Sequence, residues 1–156
     1  MIRIKTTESD NPLFIIIRRE IMAIEKTYIM LKPDCVKRGL VGEVISRIEK
    51  KGFTIEDMKM ITLNEQILRE HYAHIADKPF FPSVLEYMSS GPVVAMIISG
   101  DNAIKGMRNL MGPTKYEEAV AGSIRGDYAT STSENIIHGS DGPDTAAAEI
   151  KRFFGK

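Results

Sequence analysis

The sequence predicts an α+β domain of the ferredoxin-like, split βαβ type, in which a four-stranded antiparallel sheet is covered by helices. Two observations lead to this prediction. Short apolar runs alternate with segments of helical periodicity in the order β-α-β-α-α-β-α-β-α. The chain of 156 residues also lacks an internal repeat or low-complexity tract, which favours a single compact domain over a repeat array.

In the first half of the chain, each predicted element ends at a residue that disfavours its continuation. A strand over residues 27–31 stops at the Lys32-Pro33-Asp34 breaker. A helix over residues 41–51 has apolar residues at helical spacing and ends at Gly52. Residues 53–63 alternate imperfectly between apolar and polar, which predicts a long strand with one face toward the core.

The second half follows the same logic. Asn64 is the predicted N-cap of a helix that runs to about residue 75, where the KPFFP segment at residues 78–82 breaks it. Further elements are predicted as a helix over 83–89, a Val/Ile-rich strand over 92–98, a helix over 101–110, a short strand over 136–138 and a helix over 144–154.

Composition limits the classes of function. Basic and acidic residues balance at 21 each, so the chain lacks the global positive field that attracts nucleic acid or membranes. The single cysteine, Cys35, excludes an intramolecular disulfide and fits a reducing compartment. No apolar run approaches the roughly 18 residues of a membrane span. A cytoplasmic protein is the expectation.

Residues 1–21 differ in character from the rest and are interpreted as an extension of unknown role preceding a domain at residues 22–156. Three interpretations of this segment are open. It could result from a translation start upstream of Met22, it could be left over from a cloning sequence, or it could form an extra strand over residues 13–18. We assign no catalytic residue to this segment.

The segment around His138 carries the strongest chemical signal. Two apolar residues, Ile136 and Ile137, deliver the imidazole to the start of a Gly-Ser-Asp-Gly-Pro turn. A neutral histidine at such a position acts as a nucleophile or general base if a partner holds one ring nitrogen and the other is free. Glu149, in the following helix, is a candidate partner. The alternative is a histidine that only caps or solvates the turn.

The irregular stretch over residues 111–134 predicts a binding loop, because long unstructured connections are uncommon in compact domains. It and its flanks contain side chains suited to phosphate oxygens. They are Arg108, Thr114, Lys115 and Arg125, and Lys32 at the end of the first predicted strand adds a further donor. Each of them could instead be an ordinary solvated surface residue.

Several common sites are excluded by their missing motifs. There is neither a Gly-x-x-x-x-Gly-Lys-Ser/Thr loop nor a Gly-x-Gly-x-x-Gly turn, so side chains must hold any phosphate. Ser140 lacks the Gly-x-Ser-x-Gly frame of a hydrolase nucleophile. His71 and His74 have no Cys or acidic partner at ligand spacing, so we predict that they face solvent or fill a cleft. No metal held directly by the protein is predicted.

Six blocks of the chain together resemble the nucleoside diphosphate kinase family. They are YIMLKPD at residues 28–34, KRGLVGE at 37–43, KPFF at 78–81, SGPVVAM at 90–96, SIRGD at 123–127 and NIIHGSD at 135–141. The resemblance extends from about Glu25 to Phe154, and its His-Gly-Ser-Asp block is highly specific. Met22 falls where chains of this family typically begin.

The resemblance implies a ping-pong phosphotransferase in which His138 accepts the γ-phosphate of a nucleoside triphosphate and passes it to a nucleoside diphosphate. The implied catalytic residues are His138, Lys32, Tyr72, Ser140 and Glu149. The implied nucleotide-binding residues are Lys32, Phe80, Val84, Arg108, Thr114, Arg125 and Asn135. Among these, Asn135 and Lys32 would bind the ribose, and Phe80 and Val84 would contact the base with broad specificity. Mg²⁺ would be bound through the nucleotide's phosphates.

The resemblance also implies a homo-oligomer, since the family forms hexamers or tetramers from similar dimers; the hexamer is favoured. Two departures from the family pattern bear on the expectations. Cys35 stands where a small residue, most often Gly, is usual, and is expected to alter packing or add redox sensitivity while activity survives. Lys115-Tyr116 replaces an Asn-Pro pair that commonly contributes to subunit contacts, with Pro113 displaced upstream.

Three alternatives were weighed. A catalytically silent relative, serving in nucleotide binding or assembly, is disfavoured by the intact set of cationic residues and His138. An RNA-binding platform is disfavoured by the neutral charge and the absence of an aromatic-rich strand motif. A hydrolase centred on Ser140 predicts that Ser140→Ala abolishes turnover, whereas the phosphotransferase predicts that His138→Ala does.

Overall fold

The structure, a computed structural model, describes residues 24–156. The strand considered for residues 13–18 therefore lies outside the described residues. The strands are β1 (Glu25–Leu31), β2 (Thr54–Ile61), β3 (Val93–Gly100) and β4 (Ile137–Gly139). The helices are α1 (Pro33–Lys37), α2 (Val41–Lys50), α3 (Glu65–His71), α4 (Phe81–Ser89), α5 (Ala103–Met111), α6 (Ile124–Tyr128) and α7 (Pro143–Phe154).

The four strands form one antiparallel sheet in the order β2-β3-β1-β4. Its central strands, β1 and β3, are buried on both faces, which explains their nearly continuous apolar sequences. Side chains alternate between the two faces, so Ile29 and Leu31 pack with α2 and α5, whereas Tyr28 and Met30 pack with α3, α4 and α7. The predicted α+β class and antiparallel sheet are confirmed.

Strand β1 ends at Leu31, as the Lys32-Pro33-Asp34 breaker predicted, but the short helix that follows it was not predicted. Helix α1 begins at Pro33 directly after β1. Proline suits this position because the first helical residue needs no amide donor and proline already has helical φ. The turn places Lys32 and Asp34 beside the end of the sheet.

Strand β2 departs from the predicted one-sided burial. Met58 is 50% exposed and Met60 is 60% exposed. The ladder with β3 has an irregularity between Ile55 and Asp57, which interrupts the alternation of faces. Within the described residues β2 is an edge strand of the sheet, whereas β1 and β3 lie at its centre.

The stretch over residues 111–134 is less irregular than predicted. It contains the 3-10 turn Tyr116–Glu118 and helix α6, which begins where a simple turn was expected. Ser123 caps α6, because its Oγ accepts a hydrogen bond of 3.1 Å from the backbone N–H of Gly126. Asn64 caps α3 in the same way, as predicted, with a bond of 2.9 Å from Ile67.

None of the helices of residues 24–156 is both long enough and apolar enough to cross a membrane.

Candidate functional site

A cavity of about 620 Å³ lies beside the β4 strand. Of the residues predicted from the sequence, it brings together Lys32, Tyr72, Arg108, Thr114, Arg125, Asn135, His138, Ser140 and Glu149. Phe80 and Val84 do not line it. Residues that are more than one hundred positions apart in the chain, such as Lys32 and Asn135, meet there because β1 and β4 are neighbours in the sheet.

The strand geometry aims His138 at this cavity. Ile137 is buried in the cluster on one face of the sheet, so the alternating direction of side chains turns His138 to the other face. The His138 side chain remains 26% exposed. Gly139 lets β4 approach its neighbours closely, because a Cβ atom there would lie 2.7 Å from Sδ of Met111. A side chain at this position would displace the strand.

Glu149 holds the imidazole of His138. Nε2 of His138 and Oε1 of Glu149 are 2.8 Å apart, and the hydroxyl of Ser140 donates to Oε2 of the same carboxylate at 2.5 Å. The carboxylate accepts, which assigns the proton of the neutral ring to Nε2 and leaves the lone pair on Nδ1. Nδ1 has no hydrogen-bond partner among the described residues. The predicted partnership is present in the structure.

Two opposing effects set the pKa of Glu149. Burial raises it, but the hydrogen bonds from His138 and Ser140 and the charges nearby outweigh burial and leave the pKa below its ordinary value. Glu149 is therefore a carboxylate at neutral pH and acts as a hydrogen-bond acceptor for both partners. Ser140 is in turn anchored to β1, since its Oγ accepts from the backbone N–H of Tyr28 at 3.3 Å.

Lys32 lies at the end of β1, where its Nζ donates to Oδ1 of Asn135 at 2.7 Å. Burial, together with the positive charge of Arg125, lowers the pKa of Lys32 to about 8. The Asn135 amide donates in turn to the backbone carbonyls of Thr132 at 2.9 Å and Thr114 at 3.3 Å. This network ties the loop to the sheet and fixes one ammonium group at the wall of the cavity.

Arg125 is buried, with an exposed fraction of 3%. Its guanidinium donates to three backbone carbonyls, those of Asn135, Gly112 and Ile137, at 3.3, 2.8 and 2.6 Å. Of its five N–H donors, these bonds use three. Arg125 therefore both holds the loop against β4 and contributes positive charge to the cavity. Arg108 makes only a long contact of 3.5 Å with the carbonyl of Gly139.

Phe80 and Val84 were predicted to contact a base, and the structure places them at the start of α4, away from the lining of the cavity. Phe80 is 53% exposed, whereas Val84 is partly buried against the core. An exposed aromatic face is available for stacking. The geometry does not join these residues to the site around His138, so their role stays a prediction.

Cys35 does not match the expected redox sensitivity. It is fully buried in the core, where desolvation and the nearby charge of Asp34 raise the pKa of its thiol to about 12. Oxidation of cysteine proceeds through an exposed thiolate. A packing role is the one that the structure supports.

The lining also contains His71 and Arg152, which were not among the predicted site residues. His71 was predicted to face solvent or fill a cleft, and it is buried in the wall of the cavity beside His138 and Glu149. Its spacing from Ile67 and Leu68 on α3 is that of an apolar helix face and could have placed it inward. Arg152 follows Glu149 by three positions on α7 and therefore shares its face.

The state of His71 follows from its surroundings. Burial, followed by the influence of His138, lowers the pKa of His71 to about 3, so the ring is neutral at pH 7. Its Nδ1 lies 3.6 Å from Oε1 of Glu149. Because the ring is neutral, this contact is not an ion pair.

In this α+β fold, a histidine held by a carboxylate faces a cavity that also contains Lys32, Arg108 and Arg125. The arrangement is that of a transferase that passes an anionic group through an imidazole nitrogen. The comparison with known proteins gives the family. The family model described as "Nucleoside diphosphate kinase" matches residues 25–156, and the chain belongs to the nucleoside diphosphate kinase family.

Individual relatives agree with this assignment. A nucleoside diphosphate kinase of Streptococcus thermophilus is 52% identical over 137 residues, which span 85% of this chain and 100% of the relative. A nucleoside diphosphate kinase structure from Encephalitozoon cuniculi has a TM-score of 0.82 and 43% identity, covering 85% of this chain and 90% of that one. A halophilic nucleoside diphosphate kinase from Halobacterium salinarum, in complex with CDP, has a TM-score of 0.82 and 42% identity, covering 85% and 88%. The family assigns the chain the activity of a nucleoside diphosphate kinase, a nucleotide-binding transferase.

Proposed function

We propose that the chain moves the γ-phosphate of a nucleoside triphosphate to a nucleoside diphosphate in two steps, with His138 as the covalent carrier. The observation that carries this proposal is the 2.8 Å hydrogen bond between Nε2 of His138 and Glu149. It holds one nitrogen and leaves Nδ1 with its lone pair. A carrier histidine splits one transfer into two equivalent halves, each of which needs only one nucleotide in the cavity.

In the first half, the Nδ1 lone pair of His138 forms a bond to the γ-phosphorus. The bond from that phosphorus to the oxygen bridging the β-phosphate breaks, and the nucleoside diphosphate leaves with the electron pair. In the second half, a terminal oxygen of the acceptor's β-phosphate attacks the phosphohistidine and the P–N bond breaks. The carboxylate of Glu149 stabilises the positive charge that the ring carries while it is phosphorylated.

The cationic lining supplies the electrostatic part of the transfer. Lys32, Arg108 and Arg125 would neutralise the phosphate oxygens, and the hydroxyls of Thr114 and Tyr72 would donate to them. Tyr72 stays protonated and able to donate at neutral pH, because burial raises the pKa of its hydroxyl. Charge fixed before the substrate arrives lowers the barrier without further rearrangement.

The remaining substrate contacts rest on the family resemblance. Asn135 with Lys32 would bind the ribose hydroxyls, and Phe80 with Val84 would lie against the base. Stacking accepts every base because each has a π-face, which supports broad specificity. The Halobacterium salinarum relative is in complex with CDP, which supports a nucleoside diphosphate as one ligand of this cavity.

The few carboxylates of the cavity fit a Mg²⁺ ion that is bound to the phosphates of the nucleotide and not directly to the protein. The carboxylates in its lining are those of Asp141 and Glu149, and Glu149 is already bound to His138 and Ser140. Mg²⁺ prefers several oxygen ligands and commonly takes them from phosphates and water. Bound in this way, it would supply charge neutralisation along the phosphate chain.

We further propose a cytoplasmic homo-oligomer, with a hexamer favoured over a tetramer. The exposed Met58 and Met60 on the edge strand β2 support association, because uncovered apolar edges favour contact with another chain. The single, buried cysteine fits a reducing compartment. Light scattering on the purified protein would measure the number of subunits.

The two-step proposal is tested with γ-labelled ATP and magnesium, followed by a chase with unlabelled GDP. We expect a covalent label that is lost in acid, survives alkali and moves to GDP. A protein that binds nucleotide but takes up no label would instead be a catalytically silent relative.

The ammonium of Lys32 predicts a pH limit for the reaction. Because the pKa of this group in the free protein is lowered to about 8, it is charged below that pH and neutral above it. We expect kcat/KM to fall as pH rises through about 8, with Arg125 and Asp34 as the charged neighbours that set the value. A profile of kcat/KM against pH measures this fall. The side chain in Lys32→Arg stays charged, so the fall near pH 8 should be absent in that variant. A fall that persists in Lys32→Arg would belong to another group.

A further inference from the structure

Three side chains from separate elements meet behind the exposed edge of His138. His71 ends α3, His138 lies in β4 and Glu149 lies in α7, and their possible ligand atoms are all within 4.8 Å of one another. Nε2 of His138 is 2.8 Å from Oε1 of Glu149, and Nδ1 of His71 is 3.6 Å from the same oxygen. Two imidazoles and a carboxylate thus converge on one point.

His71 has no role in the transfer proposed above, yet it is deeply buried. Its side chain is 1% exposed, and neither ring nitrogen has a hydrogen-bond partner among the described residues. Buried polar groups in folded proteins are nearly always paired, so an unpaired one needs an explanation, and a bound ion is one of the few that apply. A neutral imidazole with free nitrogens beside a carboxylate is a metal-ligand arrangement.

We infer that His71, His138 and Glu149 form a site for Zn²⁺ or a divalent metal of similar ligand preference, with water as a fourth ligand. Zinc accepts two histidines and one carboxylate at bond lengths of about 2.0–2.1 Å. Tetrahedral bonds of that length place ligand atoms about 3.3 Å apart. The separations of 2.8 and 3.6 Å from Oε1 of Glu149 bracket this value, and the ligand atoms of the two imidazoles, which lie within 4.8 Å of each other, would move closer on binding one ion.

Two imidazole nitrogens and one carboxylate oxygen favour zinc over magnesium. Mg²⁺ requires near-octahedral oxygen ligands, whereas imidazole favours zinc and its neighbours among the transition metals. Arg108 and Arg152 line the same cavity, and their charge opposes any cation that is held weakly. Only a metal that binds strongly to nitrogen is expected to remain.

A zinc ion bound at this site would change the tautomer of His138, and the consequence for catalysis rests on the proposed function. A metal on Nε2 replaces the hydrogen bond to Glu149, and the proton of the neutral ring moves to Nδ1. No atom or electron is gained or lost, because the ring only changes tautomer. The lone pair that would attack phosphorus is then absent. Zinc should therefore block phosphohistidine formation while nucleotide still binds.

Calorimetry of the full chain with zinc chloride, without nucleotide, tests the site independently of activity. We expect saturable binding of about one ion per chain. The test variant is His71→Gln, and the matched control is His74→Gln, an exposed histidine three positions away. Changes around metal ligands already cost about 10- to 100-fold in affinity, so loss of the His71 ligand should cost at least about 100-fold. The control should bind as the parent does.

The inference is overturned if the parent chain shows no saturable binding, or if His71→Gln retains it. Should His71→Gln fail to fold, His138→Gln serves instead, because that side chain is partly exposed and its loss must also weaken the metal. Co²⁺ absorption in the visible range gives a second readout of tetrahedral nitrogen ligation. Labelling with γ-labelled ATP at buffered free Zn²⁺ then tests the blocked nucleophile. Zinc binding without inhibition would contradict the tautomer step alone.

Discussion

His138→Ala is expected to abolish phosphotransfer, lowering kcat/KM by at least about 10⁴-fold. The substitution removes Nδ1, the ring nitrogen that stays free when Glu149 holds Nε2, and the cationic residues that remain would bind a nucleotide without a carrier for its phosphoryl group. The label from γ-labelled ATP should be absent, while nucleotide binding measured by calorimetry should persist. A variant that still accepts acid-labile, alkali-stable label would show that another residue is the carrier.

Two further variants make this result specific. Ser140→Ala removes one hydrogen bond to the Glu149 carboxylate and should lower kcat by about 10- to 100-fold at most. His74→Ala, which changes an exposed histidine of the same cavity, should retain the covalent label. If Ser140→Ala were inactive and His138→Ala retained turnover, the hydrolase centred on Ser140 would be the better account.

Glu149→Gln is expected to lower kcat by about 100- to 10,000-fold, with a smaller effect on nucleotide binding. The amide can donate a hydrogen bond to Nε2, which would favour the tautomer with its proton on Nδ1. It also removes the negative charge that stabilises the ring while it carries the phosphoryl group. Single-turnover labelling measures this step directly, because it separates phosphohistidine formation from product release.

The matched control is Asp144→Asn, which makes the same carboxylate-to-amide change at an exposed position in the first turn of the same helix. It should leave labelling close to that of the parent chain. Equal losses in both variants would indicate a general effect on α7 and would contradict a specific role for the Glu149 carboxylate. A thermal unfolding curve for each variant separates lost activity from lost structure.

Local signals were sufficient for much of the fold. The continuous apolar runs of β1 and β3 predicted buried strands, and Asn64 predicted the start of α3, because these features depend on neighbouring residues only. The irregularity between Ile55 and Asp57 was not predictable in this way. It depends on how β2 pairs with β3, and it decides that Met58 and Met60 are exposed.

The site shows the same division. The motif around His138 identified a candidate carrier, and helical position made Glu149 a candidate partner. The neighbours of His71 were not predictable from its own helix, because Glu149 and His138 reach it from other elements of the fold. The bonding of Arg125 to three backbone carbonyls is likewise a property of the packed loop. No spacing within SIRGD encodes it.

We propose that Nδ1 of His138 carries the phosphoryl group because Glu149 holds Nε2. Nuclear magnetic resonance of the isolated phosphoenzyme, with ¹⁵N-labelled histidine and ³¹P detection, tests it most directly. We predict a single phosphohistidine signal coupled to Nδ1 and missing from His138→Ala. Phosphorus coupled to Nε2, or attached to an oxygen such as that of Ser140, would contradict the account.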